Sequence, residues 1–366
     1  MLQFLQYKVF GRHEVPAGWI VVTAGNPPEY NHSVREFDIA TWDRLKRVDV
    51  EPDFDTWKGF AYLSGMHSSI MTYLEIKKGN FYKVETTIDG KSFVTARGWD
   101  DLSQMIHLYE QHKIEVNMDL ISQYIQNKKI AQDFAIYYDL YNKYKSDYQI
   151  EDILSGNVSD DIKNRAKKAK FDERYSLLGL MLDSVMTGMK DVVDLEDMLS
   201  ELLALLKKYK KEVGASDDAV ALMKKYIKEC KKTYDNGMKA KSLSNVQQKR
   251  MMMIMNILKE HIKLIKINTS EKPFAVVKKD FDERVRMFQD DIRKTSDKAK
   301  NMFSFCDEVF PNGQELIILV TELTSNPNSA RFLGKYKVDE YFIHDKELMF
   351  RQRQIEINQE IRELEL

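Results

Sequence analysis

A chain of 366 residues is long enough for two or three domains, because domains usually contain about 100 to 200 residues. Its 56 Lys and Arg residues nearly balance 57 Asp and Glu residues, so the net charge of −1 gives no reason to expect nucleic acid or an anionic membrane as a partner. Two cysteines are too few for a disulfide framework or a thiolate zinc site. No apolar run approaches the roughly 18 residues of a membrane-spanning helix and no signal peptide is recognisable, so the sequence predicts a cytoplasmic protein without a membrane partner.

The first 52 residues contain short apolar runs that predict a small α/β unit. Residues 19–24 are apolar and enter Gly25-Asn26-Pro27, a pattern typical of a buried strand that ends in a turn. Residues 47–50 alternate between charged and apolar side chains and stop before a proline, which indicates a second strand. Residues 33–45 between them predict one or two short helical turns. A strand, helix, strand order is typical of a parallel sheet.

Residues 53–145 predict a helical unit that carries a small β-hairpin. The hairpin strands are expected over residues 81–88 and 91–96, joined by Asp89-Gly90, because Asp-Gly suits the positive φ values of a type I′ turn. Apolar residues at helical spacing predict the helices of this unit, over residues 53–71, 98–113 and 117–144.

Residues 146–366 predict a long helical region. The apolar residues between positions 195 and 209 recur on one helical stripe, and Ser244-x-x-Gln247 is a capping box that opens a further helix. Between residues 205 and 272, 17 Lys or Arg residues stand against 7 Asp or Glu residues. Because these lysines alternate with apolar stripes, solvated helix faces are the favoured interpretation, and nucleic-acid binding through this segment is a further alternative. The sequence as a whole predicts a mostly α fold.

The signals for ligand binding are concentrated in the first unit. At the carboxyl edge of a parallel sheet, where α/β proteins bind ligands, Asn26 would place a carboxamide that can orient a water or a phosphate oxygen. Asp43-Arg44 stands before the second strand, and arginine suits the charge of a phosphate. Gly90-Lys91-Ser92 resembles the end of a P-loop, but Glu85 occupies the position of the first glycine, so we exclude a P-loop there.

Together these residues carry a resemblance to one family of ATPases. The segments that resemble the stretch from sensor 1 to the arginine finger in MoxR-like AAA+ ATPases are residues 21–29, Phe37-Asp38, Trp42-Asp43-Arg44-Leu45 and the strand through Val50. The resemblance implies that Asn26 is the sensor 1 residue. It also implies that Arg44 is the arginine finger offered to a neighbouring subunit, with Arg35 as a second candidate.

In this family a helical lid follows the core and contributes a sensor 2 arginine near the start of a helix. Thr95-Ala96-Arg97-Gly98-Trp99 matches that place, so the resemblance implies that Arg97 is the sensor 2 residue. It implies a partial AAA+ α/β core over residues 1–52, a helical lid with a hairpin over 53–145 and a C-terminal helical region over 146–366. It further implies ATP and Mg²⁺ as cofactors of the intact family member, a homo-oligomeric ring and a protein client.

The P-loop and the Walker B segment of this family have no counterpart before residue 19. We therefore expect the chain to correspond to the carboxyl part of a longer ATPase, and to bind and hydrolyse little ATP by itself. The alternative hypothesis is a non-enzymatic helical interaction or scaffold protein, in which the first unit is a relic.

Overall fold

A computed structural model describes residues 2–25, 39–87, 90–214, 218–311 and 313–349 of the chain. The chain divides into two compact units, Met1–Pro52 and Asp53–Leu366. Helices dominate the described residues, whose β-structure is limited to two small antiparallel ladders. This confirms the mostly α fold that the sequence predicts.

The first unit contains short elements only. Its described elements are α1 (Leu2–Tyr7), β1 (Val9–Phe10), β2 (His13–Glu14) and α2 (Ile39–Trp42), and β1 pairs with β2 in antiparallel register. Helix α2 matches a helical turn expected within residues 33–45. The first six residues of that stretch lie outside the described part of the chain.

The prediction of two parallel strands, at residues 19–24 and 47–50, is wrong. Neither segment belongs to a ladder within the described residues of the first unit. A strand is stable only when its backbone N–H and C=O groups pair with a neighbouring strand. Within the described residues, no neighbouring strand pairs with either segment. As a result, apolar side chains that a sheet would bury are exposed: Trp19 is 65%, Ile20 83% and Val48 80% accessible.

The second unit begins with helices and a hairpin. These elements are α3 (Phe54–Ser64), α4 (Ser68–Ile76), a 3-10 turn (Lys78–Asn80), β3 (Lys83–Thr87), β4 (Gly90–Val94), α5 (Ala96–Gln111), α6 (Met118–Tyr124) and α7 (Lys128–Asp147). The hairpin is confirmed, but Gly90, which was expected in the turn, is the first residue of β4 and lies opposite Thr87. Asp89 lies outside the described residues. Helix α5 is also where the sequence predicts it, and α7 runs across position 146.

The helices expected over 53–71 and 117–144 are each interrupted, for identifiable local reasons. Gly65 adopts a left-handed φ of 76° and ends α3, a conformation that glycine accepts readily. The ring of His67 then begins α4 by accepting the N–H of Ser69 at 3.3 Å. In the second case, the side chain of Asn127 begins α7 by accepting the N–H of Ile130 at 3.2 Å.

The elements from α3 to α7 share one hydrophobic core with the hairpin. At its centre the fully buried Trp99 packs against Tyr73 and Phe134, with ring centroids 5.7 and 5.3 Å away. The indole N–H of Trp99 donates to the backbone carbonyls of Asn80 and Phe81 at 3.3 and 3.1 Å. Trp99 therefore fixes the start of α5 to the segment that leads into the hairpin.

The rest of the second unit is helical. Its elements are α8 (Ile150–Leu154), α9 (Asp160–Lys168), α10 (Phe171–Val213), α11 (Ala219–Lys239), α12 (Asn245–Ile267), α13 (Pro273–Val309), α14 (Gln314–Ser325), α15 (Pro327–Lys335) and a helix over 339–349. The capping box of Ser244 and Gln247 is confirmed at the start of α12.

Helix α10 takes part in two separate cores because of its length. Its amino-terminal half packs with the end of α13 and with α14 and α15. Its carboxyl-terminal half packs with α11, α12 and the start of α13, and the predicted stripe supplies Met198, Leu202 and Leu206 to this second core. The lysines between residues 205 and 272 lie at exposed positions around this second core, as expected for solvated helix faces.

Candidate functional site

The structure describes two of the four residues that the resemblance assigns to a nucleotide site. Asn26 and Arg35 lie outside the described residues. Arg44 is exposed in the first unit, two residues after α2, and its backbone N–H donates to the carbonyl of Thr41 at 3.2 Å. Arg97 belongs to the second unit.

Arg97 is an exposed side chain on a rigidly held helix start. It is the second residue of α5, whose first turn contains no acidic side chain. The hydroxyl of Thr95 caps this turn by accepting the N–H of Gly98 at 3.2 Å. Gly98 is required because a Cβ there would lie 2.7 Å from the carbonyl oxygen of Tyr124. With Trp99 buried next to it, the start of α5 presents a guanidinium at the positive end of the helix dipole, and both favour an anion.

A cleft in the second unit is a site that sequence reasoning missed. It has a volume of about 270 Å³ and lies between α3 and α4 on one side and α10 and α14 on the other. Its apolar walls are formed by Tyr62, Met66, Met71, Tyr175, Leu178, Leu182, Met186 and Ile318. One sequence feature that points to the cleft is Gly179, which lies within an apolar helical run. A Cβ atom at this position would lie 2.3 Å from the hydroxyl oxygen of Thr72. The other lining residues are distant in sequence and converge only through packing.

A buried ionic network closes one end of this cleft. The ammonium group of Lys58 binds the carboxylates of both Glu75 and Glu322, and the hydroxyl of Tyr62 donates to Glu322. The side chains of Lys58, Glu75 and Glu322 are only 11 to 12% exposed. Burial and the neighbouring Glu322 carboxylate raise the pKa of Tyr62. The network joins α3, α4 and α14. With Lys78 3.9 Å from Glu75, its two carboxylates face two ammonium groups, so its role is structural.

A second cluster of polar side chains lies where α4 meets α5 and α7. The Nε2 atom of His67 is 3.3 Å from Glu110, its Nδ1 atom is 2.7 Å from the hydroxyl of Ser69, and Tyr138 donates to Glu110 at 2.8 Å. The hydrogen bond from His67 lowers the pKa of Glu110 to about 2, against the opposing effect of burial. Burial, followed by the charge of His67, lowers the pKa of His107, whose Nε2–H donates to the carbonyl of Gly65 at 3.1 Å.

Asp183 lies in the amino-terminal third of α10 and lines the cleft. Its side chain is exposed to solvent, and desolvation by the protein around it raises its pKa. The hydroxyl of Ser68, which accepts from Tyr141 at 2.9 Å, lies near it and acts to lower its pKa. His67, Lys145 and His107 lie near enough to lower its pKa, but no described side chain forms an ion pair with it.

Other classes of site find no support in the part of the chain that the structure describes. No group of three or more His, Cys, Asp or Glu side chains there could hold a metal ion. Cys230 and Cys306 are free thiols, and burial raises the pKa of both. Within the same residues, no helix has the length and apolar character that a bilayer crossing requires.

Comparison of the chain with profiles of protein families, with characterised proteins and with solved structures gives no match.

Proposed function

We propose that the chain is the carboxyl part of a MoxR-like AAA+ ATPase, in which Arg97 senses the bound nucleotide and the helical region acts on a protein client. The observation that carries this proposal is the position of Arg97. It is exposed at the amino-terminal turn of α5, where the resemblance requires a sensor 2 arginine. Buried Trp99 and the close packing of Gly98 keep that turn in place, as a residue that reports on a phosphate group needs.

The exposed apolar segments of the first unit are compatible with the same proposal, although neither of them forms a strand in the structure. Residues 19–24 and 47–50 have the composition of buried parallel strands, but their side chains face solvent here. In an AAA+ core, neighbouring strands would pair with both segments and helices would cover their faces. The exposure is therefore consistent with a surface that such a core would complete.

ATP and Mg²⁺ are the cofactors on this proposal. Asn26 would position the attacking water, and Arg97 would report the nucleotide state to the helical lid. Arg44 would stabilise charge on the phosphoryl group transferred in a neighbouring subunit. On this proposal, the P-loop and the Walker B carboxylates that bind Mg²⁺ would be supplied by a further segment of the intact ATPase. The assembly would be a cytoplasmic homo-oligomeric ring.

The proposal is tested with an ATPase fusion, in which the P-loop and Walker B segment of a MoxR-like ATPase is joined ahead of Met1. We expect the fusion to hydrolyse ATP, whereas the segment alone and this chain alone do not. A fusion that is folded by circular dichroism but has no turnover above the two separate parts would contradict the proposal.

The alternative, a non-enzymatic helical interaction protein, is favoured by one observation. The carboxyl-terminal half of α10 forms a core with α11, α12 and the start of α13 that is separate from the other cores. Such a helical bundle can present a binding face without any nucleotide. An inactive fusion would favour this function.

A further inference from the structure

The charges around the cleft between α3, α4, α10 and α14 compensate one another. The buried ionic network at one end has two carboxylates that face two ammonium groups. The other two carboxylates that line the cleft, Asp183 and Asp191, are exposed to solvent, which screens their charge. The basic side chains beside them are His67, Lys145 and Lys190. The cleft is therefore better suited to a neutral ligand than to an ion.

One polar group at the wall of the cleft is left without a good partner. Asn326 lines the cleft, is 6% exposed and forms the N-cap of α15. Its Oδ1 atom accepts the backbone N–H groups of Asn328 at 2.9 Å and of Ser329 at 3.2 Å. Because an atom that accepts two N–H groups is the carbonyl oxygen, these contacts fix the orientation of the carboxamide, and its NH₂ group lies on the other side.

The NH₂ group of Asn326 can donate two hydrogen bonds. Within the described residues its one acceptor is the Sδ atom of Met186, at 3.6 Å, and a thioether sulfur is a weak acceptor. Met186 lines the same cleft, so the amide donor lies at the cleft wall. A buried donor without a good acceptor is costly, and an oxygen atom of a ligand would remove that cost.

The walls and the volume of the cleft indicate what kind of ligand fits. Tyr62 and Tyr175 contribute aromatic rings, and Met66, Met71 and Met186 contribute thioethers. Both kinds of side chain make favourable contacts with an aromatic ring. The volume of about 270 Å³ exceeds the roughly 150 Å³ in which an engineered protein cavity binds benzene, and it lies at the small end of ligand pockets. One ring with a short substituent fits this volume.

We propose that this cleft binds a small neutral aromatic molecule that carries a carbonyl oxygen, with the NH₂ group of Asn326 as the donor to that oxygen. The ring of the ligand lies against the tyrosine and methionine side chains of the wall. The carbonyl oxygen gives the amide the strong acceptor that Met186 does not provide. The proposal does not depend on nucleotide binding and stands whether or not the chain is part of an ATPase.

Titration calorimetry on the full chain tests this with three probes that share one carbon skeleton: acetophenone, 1-phenylethanol and ethylbenzene. We expect acetophenone to bind saturably and ethylbenzene to bind at least about threefold more weakly, because a net hydrogen bond changes affinity by about two- to twelvefold. The hydroxyl of 1-phenylethanol can also accept, so this probe should bind within about threefold of acetophenone. Equal affinities for acetophenone and ethylbenzene, or binding of neither, would overturn the proposal.

The variant Asn326→Asp separates the donor from the helix cap. An aspartate accepts backbone N–H groups as asparagine does, so α15 keeps its cap while the donor to the ligand is lost. Acetophenone should bind at least about threefold more weakly, because its carbonyl then faces a carboxylate. In contrast, 1-phenylethanol can donate its hydroxyl to the carboxylate and should keep its affinity within about twofold. Unchanged acetophenone binding, or an equal loss for both probes, would overturn the role of Asn326.

Two further variants locate the effect. The matched control is Asn117→Asp, the same substitution at the N-cap of α6 outside the cleft, which should leave all affinities unchanged. A loss there as large as in Asn326→Asp would attribute the effect to helix capping and overturn the proposal. Met186→Trp places a larger side chain beside the amide and should abolish binding of all three probes. Unchanged binding in Met186→Trp would overturn the proposal even if Asn326→Asp failed to fold.

The same ring and carbonyl chemistry on a peptide is tested with Nα-acetyl-phenylalanine N-methylamide. Weaker binding than that of acetophenone, or none, would support a free small molecule as the ligand. Tighter binding that is sensitive to Asn326→Asp would overturn that assignment in favour of a phenylalanine side chain of a partner protein.

Discussion

In the ATPase fusion, replacement of Arg44 by alanine should lower ATP turnover by about 10³- to 10⁵-fold, the range associated with an arginine finger. The affinity for ATP should change little, because a finger stabilises charge that develops mainly in the transition state. The exposed position of Arg44 at the end of α2 suits a residue offered to a neighbouring subunit. Steady-state turnover and equilibrium binding of an ATP analogue measure the two quantities separately.

Arg47→Ala is the matched control for this prediction. Arg47 is exposed in the same unit and forms a local ion pair with Asp49 at 2.7 Å, which gives it no expected part in catalysis. Its loss should leave turnover within about twofold of the unchanged fusion, because exposed ion pairs contribute little. Full turnover in Arg44→Ala together with loss in Arg35→Ala would mean that Arg35 is the finger.

Trp99→Ala should destabilise the second unit by about 3 to 5 kcal/mol, as expected for truncation of a buried aromatic residue to alanine. Trp99 is completely buried between Tyr73 and Phe134 and donates to two backbone carbonyls that would lose this partner. Urea unfolding followed by circular dichroism measures the change. The unfolding midpoint of the elements around α5 should move to a lower urea concentration. Trp99→Phe should lower this midpoint less, because the ring contacts are partly kept.

Trp19→Ala provides the control for that experiment. Trp19 is 65% exposed in the first unit. Its replacement should lower the free energy of unfolding by no more than about 0.5 kcal/mol, as surface substitutions usually do. Equal destabilisation by both substitutions would contradict the burial that we describe for Trp99.

The sequence predicted those elements whose pattern is local. The hairpin of β3 and β4, the extent of α5 and the capping box at Ser244 all rest on neighbouring residues, and the structure has them where they were expected. The breaks at Gly65 and before Asn127 were missed, because apolar periodicity continues across them and only the cap geometry reveals the interruption. Helical patterning alone therefore overestimates helix length.

The remaining differences come from interactions over long sequence separations. The apolar composition of residues 19–24 is that of a strand, but whether a strand forms depends on a partner that the described residues do not supply. The cleft was missed for a related reason, since Tyr62, Asp183 and Glu322 are brought together only by the packing of three helices. Arg97, by contrast, was placed near a helix start from its local motif, and its assignment as the sensor 2 residue stays a prediction.

The central claim is that Arg97 contacts the nucleotide, and equilibrium binding of an ATP analogue to variants of the ATPase fusion tests it most directly. Arg97→Ala should weaken binding by about ten- to one-hundredfold, since hydrogen bonds to charged groups contribute about 1.5 to 3 kcal/mol. Arg97→Lys should recover part of that loss, and Arg293→Ala, an exposed arginine on α13, should have no effect. Unchanged affinity in Arg97→Ala, in a fusion that still hydrolyses ATP, would contradict the account.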